Sequence, residues 1–240
     1  MNDAGPVEIA FDDVCVLHRG RIPLLVSLPH DGSDIPADLR GRMTPASRSA
    51  PDTDWHVSRL YAFARDMGAS MLVPRWSRYV IDLNRGEDDT SLYPGQNTTG
   101  LVPLVRFDGE PVYLPGMEPD AGEVAARIAR YWRPYHQALR GELERLRAAH
   151  GRVLLWEGHS IRGSGLPFLF DGRLPDLNLG TASGASCAPQ VQARVEAAML
   201  ARSVLARATF AEDLAPLQTG QEGPWQWRLQ AAQQTVTLTD

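Results

Sequence analysis

Ile22-Pro23-Leu24-Leu25-Val26-Ser27-Leu28 runs directly into Pro29-His30-Asp31-Gly32, and this stretch decides the fold. A short apolar run that stops at Pro or Gly is the pattern of a central strand in an α/β sheet. Val153–Trp156 repeats the pattern and runs into Glu157-Gly158-His159-Ser160. Open α/β sheets place ligands at the carboxyl ends of their strands. Two imidazoles delivered to that edge suggest a metal site or an acid/base pair.

The elements around these strands alternate in the α/β manner. Asp54–Met67 has Val57, Leu60, Tyr61 and Ala64 on one helical face, with Asp52 or Thr53 available as its cap. Ser70–Val73 and Tyr79–Leu83 read as short strands. Gly86–Gly116 has little periodicity and reads as a long functional loop or lid. Glu118–His150 is the clearest helix, with a break expected at Pro134, and Pro189–Ala206 is a second, alanine-rich helix. The expected fold is a single α/β domain over 1–240, with a mixed, mostly parallel sheet flanked by helices.

The bulk properties narrow the function. The 240 residues are 43% hydrophobic and 22% charged, enough for a sizeable core. A net charge of −5 indicates no surface for nucleic acid or anionic membrane. All 24 basic residues are arginine, so lysine Schiff-base and P-loop chemistry are excluded while arginine forks for carboxylates remain. No signal peptide or membrane span is visible, and Cys15 and Cys187 have no metal spacing. The expected location is cytoplasmic, with both thiols reduced.

Several residues could carry chemistry. His30 and His159 sit at strand ends. Asp54 and His56 are metal-ligand types, although a carboxylate at a helix start also serves as a cap. Tyr79–Arg85 ends in Asp82, Asn84 and Arg85, and Arg85 offers a bidentate fork for a carboxylate. Glu157 and His159, two apart on an extended segment, face one side, with Arg162 three residues on. His136 and His150 read as structural.

These residues fall into ordered motifs that resemble the N-formylglutamate deformylase (N-formylglutamate amidohydrolase) family. They are Pro29-His30-x-Gly32, Asp52-Thr53-Asp54-Trp55-His56, Ser77–Arg85, Ser91–Gln96, Pro115–Pro119, Tyr131-Trp132-Arg133-Pro134-Tyr135-His136, Glu157-x-His159-Ser160-Ile161-Arg162 and Leu174–Thr181. The resemblance implies a zinc-carboxypeptidase-like (phosphorylase/hydrolase-like) fold. It implies hydrolysis of N-formyl-L-glutamate to formate and glutamate in histidine degradation, so the partner is a small N-acyl dicarboxylic amino acid. His30 and His159 would hold a divalent metal, zinc by likeness, with Asp54 as third ligand because Ser33 stands at the usual acidic position. Asn84 and Arg85 match a pair that grips a substrate carboxylate. Arg162 is placed on the second carboxylate, and Glu157 on a ligand as its orienting partner or in the role of catalytic base.

The likeness weakens over a divergent segment, 207–240, which reads as truncated against the family pattern. Phe210, Gly220 and Leu229 match it, but Ala211, Leu217, Gln218 and Trp225 do not. Gln230 stands where the family's general-base Glu is expected, and an amide has no titratable carboxylate. The alternatives are an impaired relative that binds metal and a dicarboxylate, or a deacylase of another N-acyl amino acid.

Overall fold

The computed structural model describes residues 7–90, 98–166, 168–170, 172–175, 177–182, 184–209, 217–222 and 225–230, with backbone alone for most of the chain from 201 onward. Ser91–Gln96, Asp176, Phe210 and Ala211 lie outside the described residues, as does the side chain of Gln230. The chain divides into two compact units, 1–174 and 175–240.

The first unit is built on a five-stranded sheet: β1 (Val7–Phe11), β2 (Cys15–Arg19), β3 (Leu24–Ser27), β4 (Ser70–Pro74) and β5 (Leu154–Glu157). The strand order is β1-β2-β4-β3-β5. The β1–β2 and β2–β4 pairs are antiparallel, while β3 pairs parallel with both β4 and β5. The sheet is therefore mixed, and its parallel half carries both strand-end histidines. Antiparallel neighbours need only a tight connection, as at the β1–β2 hairpin; parallel ones need crossovers, which supply the helices.

Side-chain alternation explains the layers. Leu25 of β3 and Leu72 of β4 face a large apolar cluster with Tyr79, Tyr113, Tyr131, Tyr135 and Leu146. Val26 and Met71, one residue along, face a smaller cluster with Val57, Ala64 and Ala69. Helix α5 (Arg133–His150) contributes to the first, and the short helices α2 (Val57–Leu60) and α3 (Ala62–Asp66) to the second. Helix α1 (Ala37–Arg42) adds Leu39 to the larger cluster.

The long helix is divided. Helix α4 (Ala121–Arg127) starts at Asp120, whose carboxylate accepts from the Glu123 N–H at 2.8 Å. A π turn over Ile128–Trp132 follows, then α5 (Arg133–His150). Pro134 lacks an N–H, and its ring would crowd the Arg130 carbonyl; the wider turn accommodates both. The expected break is thus a change of register just ahead of the proline. Gly151, at φ 74°, ends α5 by donating to the Arg147 carbonyl.

Three local expectations are corrected. Asp54–Met67 is not one helix, because His56 takes φ 65° and Tyr61 separates α2 from α3. Asp52 does not cap it: its buried carboxylate accepts from the Tyr79 hydroxyl at 2.7 Å and the Phe107 N–H at 2.8 Å. Tyr79–Leu83 is a buried turn, not a strand. Val80 N–H bonds back to the Ser77 carbonyl, and Arg78 and Asp82, four apart, form an ion pair. The irregular segment is also more than a lid, since Leu101, Val102, Val112 and Tyr113 belong to the large cluster.

A buried carboxylate secures the antiparallel half. Glu142 of α5 accepts from Ser70 Oγ at 2.5 Å, from Arg145 and from Arg19. Burial opposes its charge, but these hydrogen bonds and the two guanidinium charges outweigh it and hold its pKa below the ordinary value. Its contribution to stability is therefore complete above the unfolded-state pKa of about 4.3 and fades as the pH falls through that value toward the folded one. Glu142→Gln is expected to lose about 1–3 kcal/mol at neutral pH, because both arginines stay partly hydrated. Urea melts from pH 7 to pH 3 should show the difference from wild type shrinking on acidification. Cys15 is buried with its pKa pushed up to about 12, so it remains a thiol. Among the described residues no helix is long and apolar enough to cross a membrane.

The second unit contains α6 (Pro189–Thr209) and an antiparallel hairpin, β6 (Leu217–Glu222) and β7 (Trp225–Gln230). In that hairpin Leu217 pairs with Gln230 and Gln218 with Leu229.

Candidate active site

His30 follows β3 on a tight turn, with the Asp31 N–H on the Leu28 carbonyl at 3.1 Å. Asp54 is brought alongside by its own N–H, which donates to the His30 carbonyl at 3.0 Å. Asp31 accepts from the Ser58 N–H at 2.9 Å and so satisfies a first-turn amide of α2 from 27 residues away. His159 arrives from β5 through Gly158. A Cβ at Gly158 would lie 2.7 Å from Leu28 Cδ2 and Tyr61 Cε2, so only glycine passes between Glu157 and His159 here. Asp54 then ties the two strand ends together, Oδ2 lying 3.0 Å from His159 Nδ1 and accepting from the Ser160 N–H at 3.1 Å.

One ligand atom each from His30, Asp54 and His159 lies within 4.8 Å of the others. The His30 and His159 rings are 4.9 Å apart, centroid to centroid. His30 and Asp54 are buried, at 5% and 3% exposure, while His159 opens to solvent. A rigid, dry base with one wet edge lets a small ligand approach from one side. His56, the other candidate ligand type, is exposed and does not join this cluster.

Asp82 is the site residue that sequence reasoning under-used. Its Oδ1 accepts the Nε2–H of His30 at 2.6 Å, and its Oδ2 accepts from Arg78 at 2.6 Å. Burial disfavours its charge, yet the Arg78 guanidinium, His30 and the Asn84 N–H outweigh it and hold its pKa well below the carboxylate range. A carboxylate held ionised can only accept, so Nε2 carries the His30 proton and Nδ1 keeps its lone pair, 3.4 Å from the Arg78 Nη1 donor and 3.8 Å from Asp54 Oδ2. Burial first, then the Arg78 charge, lower the His30 pKa against the pull of Asp82, so the ring is neutral at neutral pH. Arg78 itself is buried, lies 4.6 Å from the Phe107 ring centroid and donates to Thr99 at 3.1 Å.

The other anticipated residues divide. Asn84 is on the site, its amide 3.3 Å from His159 Nε2. A half-turn of that amide exchanges donor for acceptor, so Asn84 can serve either tautomer of His159. Arg85 is half-buried beside it, and its side chain has no hydrogen bond or ion pair among the described residues. Arg162 is exposed and equally unengaged among them. Glu157 makes no hydrogen bond to His30, Asp54 or His159, so the carboxylate that orients a histidine is Asp82 rather than Glu157. Glu157 is an exposed residue, but the protein packed around its carboxyl group partly strips it of water and raises its pKa; His159 opposes this and Asp82 adds to it.

Two imidazoles and a carboxylate gathered at the carboxyl edge of parallel strands define an α/β enzyme with its site at the strand ends. The model of the N-formylglutamate amidohydrolase family matches residues 22–229, and the chain belongs to that family. It is 51% identical over 185 residues to an N-formylglutamate deformylase of Pseudomonas putida, covering 77% of this chain and 68% of that one. A deformylase of the same name from Pseudomonas aeruginosa is also 51% identical, over 78% of this chain and 69% of the relative. The crystal structure of an N-formylglutamate amidohydrolase from Ralstonia eutropha matches with a TM-score of 0.66 at 25% identity, covering 80% of this chain and 75% of the other.

Proposed function

We propose that this chain hydrolyses N-formyl-L-glutamate to formate and L-glutamate, as a step of histidine degradation, with a zinc ion held by His30, Asp54 and His159. The observation that carries this reading is the cluster of those three side chains in a chain of this family.

The residues suit the ion. A tetrahedral zinc with bonds of about 2.0–2.2 Å places its ligand atoms roughly 3.3 Å apart. The contacts of Asp54 Oδ2, 3.0 Å to His159 Nδ1 and 3.8 Å to His30 Nδ1, lie on either side of that spacing, and with all three ligand atoms within 4.8 Å of one another a bound ion would draw them together. The neutral His30 ring with its proton held on Asp82 is the form that a metal requires. Bound there, zinc would supply an activated water and polarise the formyl carbonyl.

The protein's own groups account for the rest. Arg85 and Asn84 bind the α-carboxylate of the substrate, and Arg162 takes the side-chain carboxylate. Glu157 takes a proton from the attacking water and passes it to the leaving amine nitrogen. The water oxygen joins the formyl carbon, the amide C–N bond breaks, and formate and glutamate leave.

Formate release from N-formyl-L-glutamate by the zinc-loaded protein tests this directly; no turnover in the presence of bound zinc would overturn it. The assignment of the base has its own test. Glu157→Gln is expected to lower kcat by about 10²–10⁴-fold, whereas Gln230→Glu leaves it essentially unchanged. A large gain from Gln230→Glu would move the base to position 230.

A further inference from the structure

The Tyr131-Trp132-Arg133-Pro134-Tyr135-His136 motif touches neither the His30–Asp54–His159 cluster nor any atom assigned a chemical role. Three of its side chains, those of Trp132, Arg133 and His136, nevertheless converge on one turn. His136 Nε2 donates to the Leu83 carbonyl at 3.0 Å. Trp132 Nε1 donates to the Arg85 carbonyl at 2.8 Å. Arg133 pairs with Glu87, two residues further along. The two rings stack on each other, centroids 3.8 Å apart and planes inclined by 28°. Both side chains are half-buried, and burial lowers the pKa of His136, so its neutral ring has one N–H to give.

The pinned carbonyls flank Asn84. From the other side, Asp82 takes the Asn84 N–H at 2.9 Å on its carboxylate and the Arg85 N–H at 3.3 Å on its carbonyl. The π turn is what makes the helical half possible. It advances the register of the helix by one residue ahead of Pro134, and a one-residue shift turns a helix face by about 100°. Trp132 and His136, one turn apart, then share the face that meets residues 83–85.

We propose that Trp132 and His136 are positioning residues for substrate recognition: together they clamp the carbonyls on either side of Asn84, so that Asn84 and Arg85 are presented to the substrate's carboxylate. This rests on the substrate reading given above. The clamp acts through binding, because the groups it holds grip the part of the substrate that does not react.

Steady-state formate release by zinc-loaded variants of the full chain separates the two ideas. Arg85→Ala is the reference and should raise KM at least about tenfold, as loss of a charge-assisted bond does. Trp132→Phe keeps the stacking and removes only the N–H; His136→Ala removes stacking and donor together. Each should raise KM about fivefold, as loss of one neutral hydrogen bond does, with kcat held within about twofold. His136→Gln returns an amide N–H near the Nε2 position and should recover most of the loss. In the Arg85→Ala background, Trp132→Phe should add less than it does alone, because the carbonyl that Trp132 holds belongs to Arg85. A general loss of folding would lower the melting temperature and kcat, and rescue by Gln would fail; that result overturns the clamp. So does an unchanged KM in Trp132→Phe and His136→Ala while Arg85→Ala raises it, or full additivity of Trp132→Phe with Arg85→Ala. An unchanged KM in Arg85→Ala overturns the substrate reading itself.

Discussion

His30→Ala and His159→Ala are each expected to lower formate release by at least about 1000-fold, since the several kcal/mol a metal contributes to the transition state is lost with it. Both variants should also fail to retain stoichiometric zinc, measured by elemental analysis after gel filtration. The two losses differ in their effect on the fold. His159 lies at the open edge with its side chain 34% exposed, so its removal leaves Asp54 still bonded to the Ser160 N–H. His30 is buried against Asp82, so its removal leaves a hole and deprives that carboxylate of one partner. His159→Ala should therefore melt near the wild-type temperature, and His30→Ala below it. Normal zinc content in both variants would refute the ligand assignment.

Replacing Asp82 is expected to damage stability and metal binding together. Its side chain is 2% exposed and faces Arg78 at 8% exposure, so removing it strands a buried guanidinium. Breaking one side of such a pair costs about 3–5 kcal/mol. Asp82→Ala should show that loss in metal-free urea melts. Asp82→Asn preserves the volume but removes the charge. It can also turn its NH₂ toward His30 Nε2, which would move the ring proton to Nδ1 and remove the lone pair a metal needs there. Zinc affinity, read by competition with a chromophoric chelator, should fall about 10–100-fold, the usual effect of losing a histidine's orienting carboxylate. An unchanged affinity in Asp82→Asn would show that Asp82 serves only Arg78.

These two experiments bear on residues that differed greatly in legibility. His30 and His159 stand out because each ends a short apolar run, and a strand end in an α/β sheet is a predictable place. Asp54, a ligand candidate among several carboxylates, needed the structure to show its N–H on the His30 carbonyl and its carboxylate on His159. Asp82 looked like the polar end of a strand, because Tyr79-Val80-Ile81-Asp82-Leu83 is apolar enough to be one. The Arg78–Asp82 pair and the hydrogen bonds from Tyr79 to Asp52 and from the Asp82 N–H to the Leu101 carbonyl fold it as a turn instead. Nothing within a few residues of Asp82 announces that its partner lies 52 positions away.

The sequence by itself determined what depends on local order. The strand-ending histidines, the parallel half of the sheet, the interruption near Pro134 and the ordered family motifs all follow from short-range pattern and from sterics between near neighbours. Tertiary structure decided what depends on distance through space. It chose Asp82 over Glu157 as the carboxylate that fixes the His30 proton, split the expected helix at His56 and Tyr61, and set Trp132 and His136 onto the carbonyls around Asn84. Those choices turn on hydrogen bonds and buried charges between segments far apart in the chain. Their energies exist only once the intervening core has closed and water has been excluded from between them.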